Sequence, residues 1–364
     1  MKTRSRKTVK RVVVCVVAVI AAILVTALSY FAYVFAAYYR VEDDLELKIE
    51  TGGSSGSPQT GTEYRLMSFN IGFGAYEPDY GFFMDGGTQS RAWSPERLNA
   101  NIDAISQEIL KNDADFVLLQ EVDIDGTRTY HYDERAAISA KLAGYSEVWA
   151  QNYDSPYLFY PLTEPIGANK SGIITYSRFT PSSSVRRSLP VESGVRKLLD
   201  LDRCYSVTRF PLENGRELVL VNLHLSAYTA DGVISDEQVE LIADEMSAEY
   251  KKGNYVICGG DFNKNLLSPR EDPFKASQSE YSWAKYFPVE KLAGTGLRLV
   301  APLDEVSPVP SCRNADGPYT PNQFVVTIDG FIVSDNVSVK SCGVVDTGFK
   351  YSDHNPVQIV FELK

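Results

Sequence analysis

The chain has 364 residues, with 44% hydrophobic and 23% charged side chains and a formal charge of −11. That is globular composition, and it excludes a disordered or fibrous chain. Lys2, Arg4, Arg6, Lys7, Lys10 and Arg11 fall within the first eleven positions with no acid among them, so residues 12–364 keep 30 basic and 47 acidic groups, or −17. Such a balance argues against a body that holds nucleic acid through a broad basic face, because Lys and Arg contacts to phosphate supply most nonspecific affinity.

Residues 12–39 carry no charge. At the helical rise they span about 42 Å, more than a hydrocarbon core of about 30 Å requires and far longer than the apolar region of a cleaved signal peptide. The expectation is one uncleaved transmembrane helix preceded by a basic cytoplasmic segment, residues 1–11. Glu42, Asp43, Asp44 and Glu46 follow it, so the excess of Lys and Arg places the N-terminus inside and the body outside the cell membrane. The rings of Tyr30, Phe31, Tyr33, Phe35, Tyr38 and Tyr39 suit the outer interface. Residues 40–63 form a juxtamembrane linker whose stretch 51–62 (TGGSSGSPQTGT) reads as a flexible spacer. Residues 64–364 are long enough for one large domain.

Within that domain, residues 64–70 (YRLMSFN) read as a strand. Ser94-Pro95-Glu96 then opens a helix whose apolar positions are Leu98, Ile102, Ile105 and Ile109. Residues 115–121, 171–176 and 204–210 are further strands, and Asn214-Gly215 makes a hairpin into 217–225 (ELVLVNLHL). A capping box at Ser235-Asp236-Glu237-Gln238 starts a second helix. A strand at 255–258 runs into Gly259-Gly260-Asp261, residues 266–310 look like a long insertion, and strands at 324–333 and 356–363 close the chain. Hairpins mixed with crossovers favour layered α/β with mixed sheets. Cys204, Cys258, Cys312 and Cys342 lack the spacing of a zinc or redox motif and leave free thiols and several disulfide pairings open.

Apolar strands repeatedly end on polar groups: Asn70, Glu121, His224, and Asp261 with Asn263. Asp329 and Asp353-His354 complete the set, which contains two of the three His in the chain. Burying carboxylates at strand ends is costly unless a cation compensates, and hard divalent ions take such oxygen ligands together with substrate phosphate.

The segments SFNIGFG (68–74), LLQEVD (118–123), NLHLSA (222–227), GGDFN (259–263), TIDGF (327–331) and SDHNPV (352–357) together resemble the endonuclease/exonuclease/phosphatase superfamily over the whole body. The resemblance implies a four-layer α/β sandwich of two mixed sheets flanked by helices, and metal-dependent hydrolysis of a phosphoester by in-line attack of water. It implies Mg2+, with Mn2+ or Ca2+ as alternatives, held by Glu121 with Asn70 and Asp353 beside it. Asp261 would activate water and Asn263 would hold the phosphate or that carboxylate. His354, oriented by Asp329, would stabilise charge on the phosphoryl oxygen, and His224 would protonate the leaving oxygen. Gly72 stands where abasic-site endonucleases carry an acid, and His224 where they carry Tyr. Both favour the deoxyribonuclease and sphingomyelinase side, in which a carboxylate often pairs with this His; Asp123, Glu134, Asp154 and Glu164 are the candidates here. The substrate class stays open between nucleic acid, a phospholipid headgroup and a small molecule. No segment points to a protein partner. The competing reading is a catalytically silent binding module on the same scaffold. Arg128, Tyr130, His131, Lys170 and Ser171 are weaker candidates for the cleft, and the aromatic stretch 153–161 for its wall or a lipid contact.

Overall fold

The computed structural model of the chain describes residues 2–191, 202–227, 233–275 and 283–364. It begins with α1 (Lys2–Ala37), of which residues 6–37 are long and apolar enough to cross a membrane. There follow β1 (Leu45–Glu46), β2 (Ile49–Glu50), β3 (Glu63–Asn70), α2 (Pro95–Lys111), β4 (Phe116–Gly126) and α3 (Glu134–Lys141). Next come β5 (Ser146–Asp154), β6 (Asn169–Ser177), β7 (Ser183–Ser188), β8 (Cys204–Pro211), β9 (Glu217–His224) and α4 (Val233–Lys251). The chain closes with β10 (Tyr255–Asp261), β11 (Leu297–Val300), β12 (Cys312–Arg313), β13 (Val325–Val326), β14 (Asp329–Ser334), β15 (Val337–Val344) and β16 (Val357–Leu363).

Two seven-stranded mixed sheets form. Sheet I has the order β1-β7-β8-β9-β10-β14-β11 and sheet II the order β15-β16-β3-β4-β6-β5-β2. The period of two in each strand assigns the layers. Leu66, Phe116 and Leu118 of sheet II meet Leu218, Leu220, Ile257 and Phe331 of sheet I between the sheets. The alternate residues Met67, Phe69, Val117 and Leu119 face outward onto Ile102, Ile105 and Ile109 of α2. On the other side Val256 and Cys258 pack against Val239, Ile242 and Met246 of α4. The result is the expected four-layer α/β sandwich. Ser94 caps α2 as expected, accepting a hydrogen bond from the Arg97 N–H at 3.2 Å.

The linker departs from expectation. β1 pairs with β7 and β2 with β5, so residues 45–50 add an edge strand to each sheet. The Gly/Ser stretch is strapped down rather than free: Gly52 and Gly53 donate to Ser146 Oγ, Ser54 bridges Phe179, and Gly61 N–H reaches Leu363 O. Composition reports what a segment does when nothing binds it; here two sheet edges offer unpaired backbone groups that do. Helix α4 is already formed at Val233, which places Ser235 inside its first turn, where free N–H groups also suit Ser and Asp. Part of the 266–310 insertion becomes β11, the outer strand of sheet I. All five Cys are free.

Candidate active site

Three neighbouring strands of sheet I bring their chemistry to one line. Asp261 at the end of β10 is directly opposite His224 on parallel β9 and Asp329 on antiparallel β14. The preceding Gly260 has φ +150°, and a Cβ there would lie 2.1 Å from the Leu223 carbonyl oxygen, so only glycine lets β10 lie this close to β9. Asn263 takes a left-handed φ of 50°; its backbone N–H donates to Asp261 Oδ1 at 2.8 Å and its Nδ2 to Leu225 O at 2.8 Å.

Sheet II supplies the opposite wall. Between the Leu119–Ile174 and Val122–Gly172 pairs, Gln120 and Glu121 on β4 oppose the single residue Ile173 on β6, which is a β-bulge. Glu121 sits in it with φ 54°, a conformation that costs a non-glycine residue about 1–2 kcal/mol, and its side chain turns toward Asn70. Asn70 Nδ2 donates to Glu121 Oε1 at 3.1 Å and to Asp261 Oδ2 at 3.0 Å, which ties the two sheets together. Its Oδ1 accepts from Gly72 N–H at 3.0 Å. Beneath this layer Gln120 donates to Asn222 Oδ1 at 2.8 Å, and Asn222 donates to the carbonyls of Leu119 and Ile174, so the buried amides are satisfied. The loop before β16 is pinned by Ser352, whose hydroxyl donates to Asn70 O at 2.8 Å. That contact delivers Asp353 and His354 to the same cleft.

His354 Nδ1 lies 2.8 Å from Asp329 Oδ2, and Ser311 Oγ donates to that same oxygen at 2.7 Å. Burial alone disfavours a charged imidazole, but the Asp329 carboxylate, helped by Cys312 at 3.6 Å, overrides it and raises the His354 pKa well above 6.5. His224 is its opposite. Among the described residues its buried Nδ1 has no hydrogen-bond partner, and burial, then the positive Arg203 and His354, hold its pKa well below 6.5. The acids near its Nε2, Glu121 at 3.8 Å and Asp261 at 3.6 Å, lie beyond hydrogen-bond reach. Burial also lifts Asp261 to about 7, against the opposing pull of His354, and raises Asp353.

Among the described residues, no Lys or Arg forms an ion pair with Glu121 or Asp353, although both line the cleft and the charge of Glu121 adds to burial in raising the Asp353 pKa. Two uncompensated carboxylates with oxygen donors fit a hard divalent cation. Asn70 meets Glu121 through its amide nitrogen, and so positions the acid. A second group, Asp261, Asp329 and His354, has potential ligand atoms within 4.8 Å of one another. The 2.8 Å hydrogen bond between His354 and Asp329 accounts for that closeness and already occupies Nδ1.

Glu121, His224, Asp261, Asn263, Asp353 and His354 therefore line one cleft, with Asn70 and Asp329 directly behind them. None of the four acids considered for His224 bonds to it. Asp123 is held by Arg128, Glu134 by the Asp123 N–H, Asp154 faces Lys170, and Glu164 faces Ser90. Arg128 and Ser171 line the cleft, whereas His131 bonds Asp125 on the surface and Tyr130 bonds Ala92 O. Sequence reasoning missed Asn152, Arg203, Cys312, Arg313 and Trp283 in the wall and Ser311 behind Asp329. None of them carries a local sequence signal; all arrive through tertiary packing, Cys312 and Arg313 in the two-residue strand β12.

Residues 67–354 match the Endonuclease/Exonuclease/phosphatase family. No curated protein matches the chain. Among solved structures it is similar to an endonuclease/exonuclease/phosphatase from Beutenbergia cavernae (19% identity, 83% of this chain and 72% of that one, TM-score 0.57). The human Nocturnin catalytic domain with bound sulfate is also similar (18%, 87% and 97%, 0.52). A third is the mannosyl-6-phosphatase Bt3783 of Bacteroides thetaiotaomicron (17%, 82% and 99%, 0.51). At these identities the likeness is one of fold.

Proposed function

The chain belongs to the endonuclease/exonuclease/phosphatase family, and from that premise we propose that it is a membrane-anchored, divalent-metal-dependent phosphoesterase with its catalytic domain, residues 64–364, outside the cell membrane. Family membership supports phosphoester hydrolysis. The observation that carries the reading for this chain is the convergence of Glu121, His224, Asp261, Asp353 and His354 on one cleft, with the two imidazoles on either side of Asp261 driven in opposite directions. Environments that push titratable groups apart divide acid from base.

Glu121 and Asp353 would hold Mg2+ or Mn2+, which supplies neutralisation of phosphate charge and orientation for in-line attack. Asp261, near neutrality and held by Asn70 and the Asn263 N–H, accepts the proton of the attacking water. The water oxygen bonds to phosphorus as the bond to the leaving oxygen breaks. His354, cationic and held by Asp329, offers its Nε2 proton to the developing charge on the phosphoryl or leaving oxygen. His224 is neutral in the free cleft, so the proton-donor role expected of it passes to His354, and His224 becomes a hydrogen-bond partner.

The test is hydrolysis of bis-p-nitrophenyl phosphate, DNA and phospholipid by the purified full-length chain with Mg2+ or Mn2+. Activity should vanish on chelation, return with the ion, and be lost in Asp261→Ala. Turnover indifferent to both would remove the proposal, and binding without turnover would favour a silent module.

A further inference from the structure

The membrane helix does not simply end above a tethered body. Its last turns are docked onto it. Tyr30 and Val34 in the last turns, and Tyr38 just past the helix end, recur at a four-residue spacing and are covered where their neighbours are exposed. Tyr30 Oη donates to Tyr157 O and accepts from the Phe159 N–H, both at 3.2 Å, while Tyr33 Oη accepts from the Tyr157 N–H at 3.0 Å. The Tyr30 and Phe159 rings meet edge to face at 5.5 Å. Beyond the helix, Arg40 pairs with Asp202 at 2.9 Å and fully buried Arg186 donates to the carbonyls of Val41 and Glu42. The exit of the helix is thus fixed relative to the sandwich.

This attachment sets the height of a second feature. The backbones of Leu158 and Gly167 exchange two hydrogen bonds of 3.1 Å, closing a loop whose tip presents Phe159, Tyr160 and Leu162 at 53%, 67% and 84% exposure. Counted from Val12, the first residue after the basic segment, a hydrocarbon core of about 30 Å takes about 20 helical residues and ends near Phe31. The loop is hydrogen-bonded to Tyr30 and Tyr33, and therefore lies at the level where aromatic and aliphatic side chains enter the outer interface. Tyr160 packs on Phe83 at 5.6 Å, and the neighbouring residues Phe82 and Met84 line the cleft. Tyr153 is shared between the cleft wall and the crevice where Tyr38 and Tyr39 leave the helix. An apolar path therefore runs from the bilayer, over the loop tip, to the rim of the cleft.

We propose that the loop 157–162 seats in the outer-leaflet interface and that the cleft opens onto the headgroup layer, where it takes the phosphoester of a bilayer lipid. This deepens the phosphoesterase reading, resting on it for the chemistry but not for the geometry. Continuity with the membrane helix selects the occupant: a patch hydrogen-bonded to a transmembrane segment at interface depth is already beside lipid.

The test uses the full chain in nanodiscs of phosphatidylglycerol and phosphatidylethanolamine. A polarity-sensitive fluorophore is attached at Leu162→Cys or, as control, at Asn214→Cys in the β8–β9 turn, at the other end of β9 from His224. Cys15 and Cys342 are replaced by Ala in both. The Leu162 site should shift to the blue and be quenched at least twofold more by shallow nitroxide lipids than the Asn214 site, and equal quenching overturns the proposal. Two chromogenic diesters, p-nitrophenyl hexadecyl phosphate in the disc and p-nitrophenyl ethyl phosphate in solution, then read the cleft. The hexadecyl ester should be the better substrate, and Phe159→Asp/Leu162→Asp should lower the ratio of the two rates about tenfold. A ratio that the variant leaves unmoved overturns delivery from the bilayer. Turnover of neither ester counts against the phosphoesterase reading, while the fluorescence still decides the surface.

Discussion

On the outer side of sheet I, Arg209 of β8 reaches Glu217 at 2.8 Å and both oxygens of Glu249 at 2.8 and 3.0 Å, and Lys252 and Asn254 complete the shell of Glu249. That pairing holds the Glu249 carboxyl down at about 2. At the cleft end of the same sheet, Asp261 is more deeply buried, its nearest cation, His354 Nε2, stands off at 3.8 Å, and burial pushes it the other way, to about 7. The same side-chain chemistry is matched in one place and left unmatched in the other. A paired buried charge is costly to break, because removing one partner strands the other, whereas a poorly paired buried charge lowers stability and is left available to a ligand.

The largest expected effect comes from the unmatched side. Asp261→Asn removes the proton acceptor and should lower turnover by about 10²–10⁴-fold, yet raise the stability of the metal-free protein. The folded pKa is raised, so between pH 3.8 and about 7 the folded state holds more protons than the unfolded one. Stability contributed by the neutral acid is then lost as pH rises through that window. The Tm advantage of the variant should grow from pH 4 to pH 7.5 and shrink when Mg2+ is added to both proteins. A variant less stable than the parent at pH 7.5 would mean that Asp261 is matched after all.

Next in size is the partner of His354. Asp329→Asn leaves the imidazole in place without its counter-charge, so the His354 pKa should fall. The protonated form is then lost at lower pH, and the alkaline limb of kcat/KM should move toward acid. The rate at the optimum should drop roughly 10–100-fold, as for other groups that orient a reacting residue. An unmoved alkaline limb would separate His354 from the reaction.

The same contrast explains what could be read from the chain alone. The matched and unmatched acids of sheet I look alike as letters. Glu249 was legible only as a position along the helix opened by the capping box, since its partner Arg209 is forty residues away. Asp261, Asp329 and Asp353-His354 were legible because short polar runs interrupt apolar strands. What escaped were contacts made between distant segments: Ser311 behind Asp329, Asn152 and Arg203 in the wall, and the missing acid for His224. The bulge that throws Glu121 into the cleft has no residue signature, since Gln-Glu-Val is ordinary strand sequence. The linker misled for a related reason. Two-residue strands such as β1 and β2 carry no period, and they exist because the edges of both sheets were waiting for them.

The smallest effect tests the matched side. Glu249→Gln keeps the shape of the side chain and removes the charge that Arg209 and Lys252 share. Thermal unfolding at pH 7 should show a loss of about 1.5–3 kcal/mol, the range for hydrogen bonds to charged groups, with kcat/KM unchanged because none of the described cleft residues bonds to this cluster. The folded pKa is depressed, so the contribution of the wild-type acid is complete above its unfolded value of 4.5 and disappears as pH falls through about 2. The stability gap between parent and variant should accordingly close between pH 4.5 and 2. A gap that stays constant over that range would assign the effect to packing of the α4 terminus instead of to charge, and would remove the contrast with Asp261.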